Sequence, residues 1–127
     1  MSSNPSQREL QVLIVEDSPL IARCEAEALR AAGFAFLSRR VDNAADMAAA
    51  LDADSWDVVL SDYHMPGFTG LDALRLLRAR DTTTPFILLT LDPFPGLAGA
   101  IEDEGGQACL DKADLFQLPD LLAQLLQ

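Results

Sequence analysis

The chain alternates short apolar runs with longer amphipathic stretches over nearly its whole length. The apolar runs have the length of strands and are rich in β-branched residues, which is typical of strands buried on both faces. The stretches between them space their apolar residues three and four positions apart, as a helix with one buried side requires. The predicted strands are residues 11–15, 34–41, 56–60, 85–89 and 108–110, with the second lying nearer an edge of the sheet.

The helical stretches carry start and stop signals. Ser18 followed by Pro19 supplies an N-cap and a proline at the first helical position, and Gly33 ends that helix. Asn43 and Thr69 are the predicted N-caps of the second and third helices. The predicted apolar side of the first helix consists of Ile21, Cys24, Ala28 and Leu29.

The later helical stretches differ in strength. Residues 91–106 contain two prolines and four glycines, so a helix there is predicted to be short or weak. A last helix is predicted to open at Pro119. Five strands alternating with five helical stretches indicate an α/β domain with a parallel sheet. We predict one domain over residues 10–127, after a disordered lead-in over residues 1–9.

Composition narrows the function classes. The 127 residues fit one domain, and a net charge of −11 argues against direct nucleic-acid binding, which needs a basic surface. No apolar run is long enough to span a membrane, and the polar start lacks a signal-peptide core, which together predict a cytoplasmic protein. Cys24 and Cys109 show no metal-binding or redox spacing and are predicted to be two reduced, buried thiols.

Chemically useful side chains follow four of the predicted strands. Glu16 and Asp17 follow the first strand, Asp62 the third, Thr90 ends the fourth, and Lys112 follows the fifth. The carboxyl ends of parallel strands meet at one edge of the sheet, where ligands bind in such folds. Each residue alone has an ordinary interpretation. The acids would be loop, turn or capping residues, Thr90 a β-branched strand residue and Lys112 a solvated charge. Their joint placement favours a site.

The residue types at this edge suit phosphoryl transfer. Clustered carboxylates repel one another unless a cation lies among them, and oxygen ligands with open positions suit Mg²⁺. Asp62 is the candidate nucleophile that forms an acyl phosphate, and we expect it to lie on a hydrated rim. Thr90 and Lys112 can donate to the phosphoryl oxygens. His64 is interpreted as a solvated loop residue, with a place beside the acyl phosphate as the alternative.

The chain carries four notable motifs: VLIVEDSP at 12–19, DVVLSDYHMPGFTGL at 57–71, PFILLT at 85–90 and CLDK at 109–112. Together they closely resemble the response-regulator receiver family, and the similarity spans about residues 10 to 126. The resemblance implies a flavodoxin-like, doubly wound, five-stranded parallel sheet in the order 2-1-3-4-5, with helices on both faces.

The resemblance also implies roles for individual residues. Asp62 would accept a phosphoryl group from a histidine kinase or a histidine phosphotransfer protein in a phosphorelay. Asp17 and Asp62 would bind Mg²⁺ directly, Glu16 mainly through water, and the main-chain carbonyl of His64 would complete the protein ligands. Thr90 and Lys112 match the switch hydroxyl and the phosphate-contacting lysine of the family.

The sequence departs from the family in features that concern signal transmission. Cys109 stands where an aromatic residue is usual, and Ala113 follows the lysine where a cis proline is usual, so a cis bond is not expected. The region of the fourth helix carries two prolines. These positions are expected to alter how phosphorylation is transmitted rather than the phosphoryl chemistry.

Other function classes fit the sequence less well than a receiver does. A receiver-fold interaction domain that acts independently of phosphorylation is the main alternative. An aspartyl phosphatase lacks its second Asp, since His64 holds that position, and a Ser/His/Asp hydrolase lacks the relay geometry. The expectation is therefore a non-enzyme that phosphorylates itself with Mg²⁺ and dephosphorylates itself slowly. It is expected to be a monomer or weak homodimer, either alone or as a piece of a longer regulator or hybrid kinase.

Overall fold

A computed structural model of the chain describes residues 9–126. The predicted disordered lead-in, residues 1–9, lies outside these residues except for Glu9. The strands are β1 Leu10–Val15, β2 Phe36–Val41, β3 Val58–Ser61, β4 Phe86–Thr90 and β5 Ala108–Asp111. The helices are α1 Pro19–Ala31, α2 Ala44–Ala53, α3 Gly70–Arg78, α4 Leu97–Asp103 and α5 Leu118–Leu125, with a 3₁₀ helix at Lys112–Gln117.

The strands form one sheet in the order β2-β1-β3-β4-β5, and every neighbouring pair is parallel. This confirms the predicted fold class and places β2 at an edge. The chain runs from β1 outward to β2 and then returns to β3 on the other side of β1. Strand order therefore reverses between β1 and β3, and the register pairs Val15 with Ser61 there. The residues that follow these two strands are brought side by side.

Helices cover both faces of the sheet, and each face has its own apolar core. Alternate residues of the central strands point to opposite faces, as the strand period of two requires. Helices α2, α3 and α4 pack on the face that includes Leu13, Val59 and Leu88. Helices α1 and α5 pack on the face that includes Ile14 and Leu60. Both faces of β1, β3 and β4 are therefore buried, which accounts for their unbroken apolar runs.

The predicted helix starts are confirmed. The Ser18 hydroxyl accepts a hydrogen bond from the Ile21 amide at 3.2 Å, and Pro19 occupies the first helical position. Thr69 and Asp72 exchange side-chain and main-chain bonds in a capping box at the start of α3. The fourth helix has only seven residues and begins after Gly96, as expected for that stretch.

The buried side of α1 differs from the prediction. Cys24, predicted on the apolar side, is exposed, and Cys109 is only partly buried, so the prediction of two buried thiols was wrong. Two stripes with helical spacing exist on α1, and the one containing two alanines faces the sheet because small side chains allow close packing. The buried residues of α1 are Ala22, Glu25, Ala26 and Leu29.

Residues 112–117 were not predicted to be helical. Their 3₁₀ helix is capped by Asp111, whose carboxylate accepts from the Ala113 amide at 2.9 Å. The Lys112–Ala113 bond is trans, since no described peptide bond is cis. The helix positions Lys112 at its first residue, directly beyond β5.

Candidate functional site

Three carboxylates meet where the strand order reverses. The Asp62 amide donates to the Val15 carbonyl at 2.9 Å, which fixes the two strand ends to each other. One carboxylate oxygen from each of Glu16, Asp17 and Asp62 lies within 4.8 Å of the others. The structure therefore brings together the acidic residues that the sequence predicted. Glu16 and Asp62 are buried, whereas Asp17 is exposed.

Lys112 joins the cluster from β5. Its ammonium donates to Glu16 Oε2 at 2.7 Å and lies 3.4 Å from Asp62 Oδ1. The side chains of Lys112 and Glu16 are only 6% and 1% exposed, so this pair is shielded from water. Breaking a shielded ion pair is costly, because it leaves a buried charge without a partner. The lysine is thereby aimed at Asp62.

The site has less positive than negative charge. Burial raises the pKa of Glu16, although the hydrogen bond from Lys112 opposes the rise. Burial lowers the pKa of Lys112, but the hydrogen bond to Glu16 and the charge of Asp62 outweigh it, so the pKa of Lys112 is raised. The cluster thus contains three carboxylates and one ammonium, which contacts Glu16 and Asp62. The negative charge exceeds the positive charge, and the carboxylate oxygens are close enough to ligate one divalent cation such as Mg²⁺.

Hydrogen bonds within the loop after β3 fix the backbone and the side chain of Asp62. The Tyr63 amide donates to Asp62 Oδ1 at 2.8 Å, and the Ser61 hydroxyl donates to the Asp62 carbonyl at 2.8 Å. The Gly70 amide closes the loop onto the Tyr63 carbonyl at 2.9 Å. A Cβ on Gly70 would lie 2.6 Å from the Asp62 carbonyl oxygen, so only glycine allows this approach. Asp62 is 8% exposed, and the expectation of a hydrated rim was wrong because the Tyr63 amide and the Lys112 ammonium both contact its carboxylate.

Thr90 and His64 occupy different environments. Thr90 ends β4 and is fully buried, and its hydroxyl oxygen accepts from the Asp92 amide at 3.3 Å. The hydroxyl proton remains available for donation. His64 is exposed, as expected for a solvated loop residue. Its ring lies edge-on to the Tyr63 ring, with the centroids 4.9 Å apart. The Tyr63 ring also contacts Phe94 edge-on at 5.2 Å.

Glu25 is a buried acid that the sequence reasoning missed. It lies on the buried side of α1 and is 2% exposed. Its Oε2 is the one buried side-chain oxygen or nitrogen without a hydrogen-bond partner among residues 9–126. A signal was present, because Glu25 shares the 3.6-residue stripe of Ala22, Ala26 and Leu29.

Comparisons of sequence support one family. The family model described as a response regulator receiver domain matches residues 12–125. The sensory/regulatory protein RpfC of Xanthomonas campestris is 32% identical over 123 residues, which cover 93% of this chain and 17% of RpfC. The nitrate/nitrite response regulator protein NarP of Escherichia coli is 34% identical over 111 residues, 85% of this chain and 50% of NarP. The chain spans half or less of the length of these relatives.

Solved structures show the same fold. The chemotaxis protein CheY4 of Vibrio cholerae superposes with a TM-score of 0.80 at 24% identity, covering 93% of this chain and 99% of that one. The receiver domain of sensor histidine kinase PA1611 from Pseudomonas aeruginosa, solved with a magnesium ion in its active-site cleft, gives 0.78 at 23% identity, covering 94% and 98%. Within residues 9–126, no helix combines the length and apolar character needed to cross a membrane.

Proposed function

The chain belongs to the response regulator receiver domain family of two-component signalling, and on that premise we propose that Asp62 accepts a phosphoryl group in a Mg²⁺-dependent phosphorelay. The observation that carries the proposal is the cluster of Glu16, Asp17 and Asp62 with the Lys112 ammonium between two of its members. A nucleophilic carboxylate, a set of cation ligands and a fixed cation are the parts that this reaction needs.

Each residue has a defined part in the reaction. A carboxylate oxygen of Asp62 attacks the phosphorus of a phosphohistidine, the P–N bond breaks, and the imidazole leaves as an acyl phosphate forms. Lys112, already 3.4 Å from Asp62, donates to a phosphoryl oxygen, and the Thr90 hydroxyl donates to another. Asp17, Asp62 and the main-chain carbonyl of His64 would hold Mg²⁺ directly, and Glu16 would hold it mainly through water. The cation would supply positive charge that offsets the phosphoryl oxygens.

The partners follow from this chemistry. The donor is a histidine kinase or a histidine phosphotransfer protein, and the acyl phosphate biases two conformations of the domain. The domain acts in the cytoplasm as a monomer or weak homodimer and is a signalling module rather than an enzyme. Self-phosphorylation from small donors and slow self-dephosphorylation are its own reactions.

Acetyl phosphate tests the proposal directly. Incubation with acetyl phosphate and Mg²⁺ should add the mass of one phosphoryl group, and the adduct should be cleaved by hydroxylamine, as acyl phosphates are. Chelation of Mg²⁺ should prevent the addition. If no phosphoryl group is added even with Mg²⁺ present, the result would favour the alternative, a receiver-fold interaction domain that acts without phosphorylation.

Magnesium should stabilise the fold. Three carboxylates with one ammonium repel one another, and a cation that binds the folded state alone raises its stability by mass action. We expect millimolar Mg²⁺ to raise the melting temperature by a few degrees. For a domain of this size, that shift corresponds to about 1 kcal/mol in the free energy of unfolding. The increase should shrink in Asp17→Asn. A melting temperature that stays constant across the titration, measured by circular dichroism, would contradict the cation site.

Phosphorylation should reorder residues 91–106 more than the surroundings of Cys109. Two contacts connect that segment to the site: the Asp92 amide bonds the Thr90 hydroxyl, and Phe94 packs on Tyr63 beside Asp62. Cys109 lacks the bulk of the aromatic residue that usually carries the change. Hydrogen exchange on adding beryllofluoride with Mg²⁺ should change most in residues 91–106. Thiol labelling of Cys109 in a Cys24→Ala background should change little, and the opposite pattern would contradict this route.

A further inference from the structure

Glu25 and Lys112 both line a small, partly open cavity beside the carboxylate cluster. The cavity has a volume of about 140 Å³ and lies between α1, the start of the loop after β4 and the 3₁₀ helix. Its remaining walls are mainly apolar. The cavity is lined by Ile21, Cys24, Glu25, Leu91, Lys112 and Leu115.

Glu25 is held there without a partner. Its side chain is buried on α1, and Oε2 has no hydrogen bond among the described residues. A buried oxygen without a partner is costly, and a leucine in the same stripe would fill the space without that cost. Burial raises the pKa of Glu25 to about 8, with the charge of Lys112 opposing the rise. Around neutral pH, the group therefore offers Lys112 mainly a neutral acceptor oxygen.

Lys112 needs another acceptor when a cation occupies the carboxylate cluster. An ammonium has three N–H donors, and the contacts of Lys112 in the cluster are with Glu16 and Asp62. Both carboxylates belong to the proposed cation site, so Lys112 and a bound cation compete for the same oxygens. Lys112 already lines the cavity, and Glu25 is the one other lining residue that carries a side-chain acceptor oxygen.

We propose that Glu25 is a positioning residue that receives the Lys112 ammonium when the carboxylate cluster binds its cation. This inference rests on the proposed function and deepens it. Glu25 keeps the ammonium within reach of Asp62 while Glu16 contacts the cation, so Lys112 can turn back to an arriving phosphoryl group. Without Glu25, Lys112 has no second acceptor and continues to compete for Glu16 and Asp62.

The test is a double-mutant cycle on Glu25 and Lys112 in which the measured quantity is the affinity for Mg²⁺. Calorimetry or NMR shifts of the backbone amides near Asp62 give this affinity. Glu25→Leu should weaken Mg²⁺ binding by at least about threefold, whereas Glu25→Gln, which keeps the acceptor oxygen, should stay within about twofold of the wild type. In a Lys112→Met background, Glu25→Leu should have no effect on Mg²⁺ affinity. The melting temperature of Glu25→Leu should rise, and this rise together with weaker Mg²⁺ binding cannot come from lost packing.

Three results would overturn the inference. They are an unchanged affinity in Glu25→Leu, an equal loss in Glu25→Gln, and a loss that persists when Lys112 is methionine. If Glu25→Leu does not fold, Glu25→Met serves in its place, since its unbranched chain adapts to an irregular space. Failure of the proposed function would appear separately, as a wild-type domain that binds Mg²⁺ but takes up no phosphoryl group from acetyl phosphate.

Discussion

Asp62→Asn should take up no phosphoryl group from acetyl phosphate or from a phosphorylated histidine kinase, while remaining folded. The amide cannot act as the nucleophile, and Asp62 is the carboxylate that the loop after β3 and Lys112 hold in place. The fold should persist because asparagine has the same shape and its oxygen still accepts from the Tyr63 amide. We expect the rate to fall by at least about a thousandfold, to the limit of detection.

Intact-mass spectrometry over time measures this loss, with circular dichroism as the check on folding. Asp120→Asn is a matched control, because Asp120 is an exposed carboxylate in the first turn of α5 and is not a member of the carboxylate cluster. It should be phosphorylated at the wild-type rate. Uptake by Asp62→Asn at the wild-type rate would show that another residue is the acceptor.

Lys112→Met should destabilise the Mg²⁺-free domain by about 3 kcal/mol, because removing one partner of a shielded ion pair leaves the other buried and uncompensated. The partner is Glu16, which is 1% exposed and loses a 2.7 Å bond from the ammonium. The loss should be seen as a lower free energy of unfolding in urea. Mg²⁺ should recover more stability in this variant than in the wild type, since the cation then replaces the missing positive charge.

Arg80→Met is the control for that experiment. Arg80 and Asp52 form a 2.8 Å pair of similar length, but their side chains are 33% and 64% exposed. Exposed pairs contribute about 0–1 kcal/mol, so this variant should change little. Equal losses in Arg80→Met and Lys112→Met would mean that the Lys112 pair gains nothing from its burial.

Much of the site could be predicted from sequence because local rules place its residues. The apolar runs locate the strands, the caps Ser18 and Thr69 locate two helices, and parallel strands bring Glu16, Asp17 and Asp62 to one edge. The strand order also followed from the family resemblance. These features depend on periodicity, backbone hydrogen bonding and the direction of strands, which are properties of short segments.

The tertiary structure alone decided how deeply the site is buried and what Lys112 contacts. The low exposure of Asp62 depends on contacts with the Tyr63 amide and the Lys112 ammonium, and the 2.7 Å contact of Lys112 with Glu16 joins residues from opposite ends of the chain.

The two stripes of residues on α1 also show what the sequence determined and what only the tertiary structure decided. Both have helical spacing, so the sequence determined that α1 is amphipathic, and the apolar character of Cys24 suggested the wrong side. Packing against the sheet chose the stripe with Ala22, Glu25 and Ala26, because the gain from close contact by the whole helix exceeds the cost of burying one carboxyl. Such a balance sums over many residues distant in the chain, and no local pattern contains it.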